Sequence, residues 1–377
     1  MGNQWFFIVF ITIVITVYSL LNYYFIRKKR KNITLEALPK ILLRLLLFTL
    51  FLTPIATFAL SRHGSSFFAI ITTFIGFSWL AFLFLFLMIH GAIDILFFIL
   101  QKFGFALSKH MAKLVFVITM VISISILVYG RFEAQDLKLE RLNIKTEKLP
   151  PNIEQLKIIQ LSDVHFSSLL GVPTAEILLE IIENEAPDLI LSTGDLLDAG
   201  IKRPKAVIEV LKKMQAPLGK YAITGNHEYI TGIETSVRFI ENAGFTLLRD
   251  EVASPGNMLN LVGLEDSSAS QFANIKTKPE SVLFPLISPD KYTLLLKHQP
   301  RIDPESIPFF DLQLSGHTHS GQIFPFTLIV RLVFPYISGL YDLESGKKLY
   351  VSRGTGTWGP PFRFLAPPEV TIITLKR

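Results

Sequence analysis

The chain has 377 residues, half of them hydrophobic, with 32 phenylalanines and no cysteine. It is too apolar for an ordinary soluble enzyme, and it has no means of forming a disulfide framework, a thiolate metal site or a cysteine nucleophile. Its net charge of +6 is uneven: residues 1–130 hold 11 Lys/Arg against Glu36 and Asp94, and residues 131–377 hold 26 Lys/Arg against 29 Asp/Glu.

In chain order, four apolar runs come first, near 5–26, 41–60, 67–89 and 114–130. The first is uncharged and long enough for a ~30 Å hydrocarbon core. It is too long for a signal-peptide core, and no small-residue cleavage site follows it. Backbone groups in hydrocarbon must pair internally, so each run is expected as a helix. Residues 1–130 then form an all-α domain of about four transmembrane helices in a plasma or inner membrane. The basic residues lie between these runs rather than in one patch, which argues against a nucleic-acid partner.

Short-loop Lys and Arg set the orientation. RKKRK at 27–31 with Lys40, and Lys102, Lys109 and Lys113, mark two cytoplasmic loops, whereas Arg62 is the only basic residue between the second and third runs. The chain after residue 130 is then extracytoplasmic. A fifth span near 92–108 would reverse that, against the charge of Lys109 and Lys113, so an interfacial helix is expected there. His90 and Asp94 fall one helical turn apart and read as a pair near the headgroups rather than a transport path.

Residues 131–154 begin with alternating apolar and charged positions, the pattern of a stalk or edge strand. Residues 155–377 alternate short buried strands with helices. Strands are expected at 155–163, 188–195, 221–227, 246–250, 258–264, 292–297, 310–315, 348–352 and 369–375, with helices at 173–185, 204–214 and 231–243. The early alternation implies a layered α/β sheet, and the closer spacing later implies antiparallel pairing. Three strands end alike, in ILSTGD, YAITGN and LQLSGH. Strand ends of open α/β sheets are where ligands sit, so Asp195, Asn226 and His317 are expected to converge.

All five histidines of this region, His165, His227, His298, His317 and His319, stand at or just past strand ends. If the backbone is extended, residues two apart share a face, so Asp163 with His165, and His317 with His319, reach one site. The set is oxygen and nitrogen without sulfur, which suits Mn, Fe, Zn, Co or Ni. Two ions about 3.5–4 Å apart generate a metal-bound hydroxide and clamp the oxygens of an in-line phosphoryl displacement. A bridging carboxylate is needed between them, and Asp195 is the best candidate.

The blocks D-x-H (163–165), G-D-x-x-D (194–198), G-N-H-E (225–228), His298 and G-H-T-H (316–319), in this order, resemble the calcineurin-like metallophosphoesterase superfamily. The closing SRGTGTWGPPFRFLAPPE (352–369) is similar to its membrane-anchored subfamily. The resemblance implies a layered α/β/β/α sandwich over roughly 155–375. It also implies one ion on Asp163, His165, Asp195 and His319, and a second on Asp195, Asn226, His298 and His317. His227 would touch the phosphate and protonate the leaving oxygen, Glu228 would orient it, and Asp198 would support the site.

The substrate is less sharply written. Phe324, Phe326, Phe334 and Tyr336, with the 358–368 segment, form either a packed loop or an apolar rim for lipid. Asn226 and His227, with Arg353 and Arg363, are candidates to bind phosphate. The leading expectation is a two-metal phosphoesterase acting on a lipid-linked or cell-envelope phosphate ester, with membrane lipids as neighbours. Alternatives are a cytoplasmic-face pyrophosphatase for a nucleotide-lipid such as UDP-diacylglucosamine, and a transporter or sensor with a vestigial metal domain.

Overall fold

The computed structural model describes residues 2–33, 36–61, 67–201 and 203–377, without the side chains of residues 2–8, 10, 11, 55 and 58–61. It divides into two compact units: residues 1–132 with Gly359–Phe364, and residues 133–358 with Leu365–Arg377.

The first unit holds four helices, α1 (Gly2–Asn32), α2 (Ala37–Ser61), α3 (Phe67–Gln101) and α4 (Lys109–Glu133). Each covers one of the four apolar runs. Among the described residues three, in α2, α3 and α4, are long and apolar enough to cross a membrane. The four crossings expected are thus three here; the side chains of residues 5–8, 10 and 11 of the 5–26 run lie outside the described residues, as does Arg62. Residues 92–101, expected as an interfacial helix with a fifth span as the alternative, are not a separate helix. They continue α3 unbroken to Gln101, because no glycine-proline pair or polar cluster interrupts the run. The helices pack through aromatic rings, with Phe86 in contact with Phe25, Phe82 and Phe116 at centroid distances of 5.0–6.0 Å. Asp94 accepts a hydrogen bond from Tyr24 at 2.7 Å and pairs with Lys28.

The second unit runs β1 (Lys138–Lys145), β2 (Gln155–Leu161), α5 (Val172–Glu185), β3 (Leu189–Ser192), α6 (Pro204–Lys213), β4 (Lys220–Ala222), α7 (Asn226–Thr231), α8 (Ile233–Asn242), β5 (Thr246–Leu247), β6 (Glu251–Ala253), β7 (Leu259–Gly263), α9 (Ser268–Phe272), β8 (Tyr292–Leu296), β9 (Leu312–Ser315), α10 (Phe326–Val333), β10 (Gly339–Asp342), β11 (Lys348–Val351) and β12 (Glu369–Lys376). These strands make two six-stranded sheets, ordered β1-β12-β2-β3-β4-β5 and β10-β11-β9-β8-β7-β6. In the second sheet β7, β8, β9 and β11 pair in parallel, and only the edge pairs β6–β7 and β10–β11 are antiparallel. Antiparallel pairing of the later strands is therefore confined to the edges in this sheet, while β12 pairs antiparallel with β2 inside the first. The 3-10 turns at 280–286 and 304–309 supply the crossovers there.

Side-chain alternation builds the layers. Ile158, Leu191, Ile223 and Ile373 of the first sheet meet Leu261, Leu294 and Leu314 of the second in one apolar core. Ile159, Leu161 and Ile372 point the other way, onto Leu178 of α5, Leu211 of α6 and Phe239 of α8. The second sheet's outer face is covered by Leu283, Phe284 and Phe310 from short turns rather than by long helices. The result is a helix, sheet, sheet, short-helix stack, and β2, β3, β4, β8 and β9 all end on one rim.

Candidate metal centre

Past the ends of β2, β3, β8 and β9, and at the start of α7, the predicted ligands come together. Asp163, His165 and His319 form one group whose ligand atoms lie within 4.8 Å of one another; Asp195, His298 and His317 form a second. A third group of the same reach joins His165, Asp195 and His227. His165 Nε2 is 3.0 Å from His319 Nε2, and His298 Nε2 is 3.2 Å from both His317 Nδ1 and Asn226 Oδ1. Asp195 Oδ2 is 3.2 Å from His298 and 3.9 Å from His165, so its carboxylate stands between the groups.

The backbone reaches this geometry differently from the extended alternation expected. Asp163, His165, Asp195, His317 and His319 all have φ between 48° and 71°. Left-handed backbone is uncommon for such residues and costs of order 1 kcal/mol or more at each. The strand ends therefore turn sharply and aim their side chains at one point instead of sharing a pleated face. Two glycines make room for this. A Cβ on Gly225 would collide with the Asp195 carboxylate, and one on Gly316 with that of Asp163. His227 stands in the first turn of α7 rather than in a loop after a strand.

A ring of supporting bonds holds the ligands. His298 Nδ1 lies 2.8 Å from the Thr193 carbonyl oxygen, to which it donates, leaving Nε2 for the cluster. The His317 backbone N–H donates to both oxygens of Asp163 at 2.9 and 3.0 Å. Asp198 contacts His227 Nδ1 and lies 3.2 Å from His165 Nδ1. It is therefore Asp198 that orients the His227 ring. Glu228 serves the backbone instead: its carboxylate accepts N–H groups of Gly225, Asp195, Leu196 and Leu197 at 2.7–3.1 Å. Burial opposes charge on His227, but Asp198 and then Asp195 outweigh it and raise its pKa to about 9.

Asp163 and Asp195 are 0% and 2% exposed, and among the described residues their ion pairs are with histidines alone. Two buried carboxylates without a lysine or arginine need compensating positive charge. Imidazole nitrogens turned toward one another at 3.0 and 3.2 Å present lone pairs to the same space. The donor set therefore fits divalent cations.

Arg353 pairs with Glu369 at 2.7 Å and with Glu140, and Arg363 is fully buried, its backbone N–H donating to the Gly130 carbonyl oxygen at 2.9 Å within the helical unit. Trp358 was read only as part of an apolar segment. Its backbone exchanges two 2.8 Å hydrogen bonds with the Gln322 amide, and its ring lies 6.2 Å from that of His227. Arg301, three residues past His298, escaped the motif reading; it stacks over Phe334 at 4.9 Å, and Phe334 lies 5.0 Å from His317. Chain proximity to His298 was the one signal for it.

Residues 156–321 match the calcineurin-like phosphoesterase family model. The chain is 39% identical over 259 residues to an uncharacterised metallophosphoesterase of Aquifex aeolicus, covering 68% of this chain and 98% of that one. It is 37% identical to a metallophosphoesterase of Helicobacter pylori strain 26695, covering 63% of this chain and 64% of the relative. A Danio rerio transmembrane protein with a metallophosphoesterase domain is 31% identical, with 69% of this chain and 62% of the relative covered. The chain thus spans nearly all of the first relative and somewhat under two thirds of the other two. With this similarity and the convergent ligands, the chain belongs to the calcineurin-like phosphoesterase family, whose members are metal-dependent phosphoester hydrolases.

Proposed function

We propose that the protein is a membrane-anchored two-metal phosphoesterase that hydrolyses a lipid-linked or cell-envelope phosphate ester outside the cytoplasm. The observation that carries this reading is the meeting of Asp163, His165, Asp195, Asn226, His298, His317 and His319 from five separate chain segments. Asp163, His165, Asp195 and His319 would hold one divalent cation, and Asp195, Asn226, His298 and His317 the other. When bound, such ions polarise phosphoryl oxygens and lower the pKa of water.

The chain's own residues do the rest. Asp198 takes Nδ1 of His227, which leaves Nε2 as the nitrogen able to deliver a proton to the departing oxygen. Glu228 fixes the backbone of 195–197 and so the position of the central carboxylate. Trp358 and the Gln322 clamp wall the His227 side. The intact ligand set argues against a vestigial domain in a transporter or sensor.

The test is hydrolysis of phosphomonoesters, diesters and pyrophosphates by the purified full chain, stripped with chelator and reloaded with Mn, Fe, Zn, Co or Ni. Turnover that disappears with the metal and returns on reloading is expected. A fully loaded chain that cleaves none of the three classes would end this reading.

A further inference from the structure

A groove of about 560 Å³ opens in the catalytic unit between residues 300–307 and 333–344. Ile302, Ile307, Val333, Phe334 and Leu343 supply much of its wall, and Arg301 lines it as well. Phe334 joins this groove to the metal centre: one contact of its ring is His317, 5.0 Å away, and the other is the Arg301 guanidinium, at 4.9 Å. Arg301 is exposed, and among the described residues it forms no ion pair. Its Nε donates to the neutral amide oxygen of Gln299 at 3.3 Å. A cation stacked on a ring beside a metal centre, with no carboxylate of its own, is arranged to receive an anion. Among the described residues neither acid of the groove, Asp342 or Glu344, forms an ion pair with Arg301, and Asp342 is paired with Lys348.

The greater part of the groove's wall is apolar. Val333 belongs both to the groove and to α10, and α10 carries its apolar side chains outward: Leu328 is 53% exposed and Leu332 87%. An unpaired apolar ridge of this kind is costly in water and suits hydrocarbon. The same chain carries three helices apolar enough to cross a membrane, so lipid is at hand. A nucleoside would instead require buried hydrogen-bonding groups to read its base.

We propose that this groove is the subsite for the hydrocarbon chain of a lipid phosphate ester, with Phe334 as its threshold and Arg301 binding an anionic oxygen of the ester. This rests on the phosphoesterase reading and names its substrate class. The full chain, in detergent and loaded with metal, is irradiated with a dodecyl phosphonate that bears a diazirine at its chain end. Labelled peptides within residues 133–358 are then mapped. Label is expected at 302–307 and 333–343, protected by dodecyl phosphate and not by methyl phosphonate. Arg301→Ala should weaken labelling about tenfold, Arg301→Lys should recover part of it, and Leu343→Glu should remove it without changing the labelling of the helical unit. Label spread over the catalytic unit, label unchanged in Arg301→Ala and Leu343→Glu, or protection by a nucleoside monophosphate as good as by dodecyl phosphate would each overturn the proposal. Labelling does not need turnover, so a chain that labels as expected but cleaves nothing would refute the phosphoesterase reading by itself.

Discussion

Asp195 offers one oxygen to His298 at 3.2 Å and the other to the backbone N–H of His227 at 2.8 Å. An amide in its place keeps one acceptor and loses the charge between the two ligand groups. Asp195→Asn is therefore expected to lower turnover by more than the ~10–100-fold typical of a residue that merely supports a ligand. The fold should survive, since the residue lies on the rim and not in either apolar core. Turnover near wild type, with normal circular dichroism, would rule out a bridging carboxylate. His227 makes a different prediction. His227→Asn should keep most of the bound metal yet lose about 10²–10⁴ in rate, with the largest loss on esters of poor leaving groups. Metal content by mass spectrometry and a leaving-group series separate the two roles; equal losses across the series would mean that His227 moves no proton in the rate-limiting step. At this scale the sequence was highly legible, because chemistry selects residue types: every expected ligand stands in the cluster. The geometry was not legible. An i, i+2 spacing suggests a pleated face, yet the residues of D-V-H and H-T-H converge through positive φ, which residue identity does not announce outside glycine and asparagine.

The elements that carry these residues are short and depend on a few buried contacts. Glu228 is fully buried and gathers four backbone N–H groups around the turn from β3 into the 195–197 loop. Glu228→Gln turns one acceptor into a donor that faces N–H groups, so at least one donor is left unsatisfied at about 1–3 kcal/mol. A lower melting temperature in detergent and weaker metal affinity are expected together. A change in rate alone, with stability and metal binding intact, would show that Glu228 acts on the substrate instead. Gly225→Ala is sharper, because its methyl would occupy the space of the Asp195 carboxylate; metal binding should be lost almost completely in a chain that still folds. Strands β2, β3, β4, β5 and β12 were readable from their apolar runs and β1 from its alternation, and α5, α6 and α8 were readable too. By contrast α10 was read as an apolar loop or rim. None of its eight residues is buried, and its polar stripe is only Thr327 and Arg331, one turn apart, too little in so short a segment to set a period against the surrounding apolar run. The brief edge strands β6 and β10 escaped for a related reason: four residues or fewer, half exposed, carry too little pattern.

At the scale of the whole molecule, loop charge bears on the side of the membrane that the metal centre faces. The four apolar runs were legible, because a continuous run of this length has few other uses. The doubt over 92–108 arose because 35 residues of helix, about 52 Å, exceed a ~30 Å core, and hydropathy does not say where the excess goes. The structure keeps it in α3, which leaves Lys102, Lys109 and Lys113 together around one short connection to α4. With that connection cytoplasmic, α4 ends outside. RKKRK and Lys40, ahead of α2, favour the same orientation. This holds whether or not α1 crosses, since three crossings and four differ only in where the N-terminus lies. An alkaline-phosphatase fusion after Arg377 should therefore be active and a green-fluorescent fusion dark, and deleting residues 2–26 should change neither. A fluorescent fusion with an inactive phosphatase would place the metal centre in the cytoplasm and make a nucleotide-lipid pyrophosphate its better substrate. A reversal caused only by the deletion would mean that α1, and not the lysines around 102–113, sets the orientation.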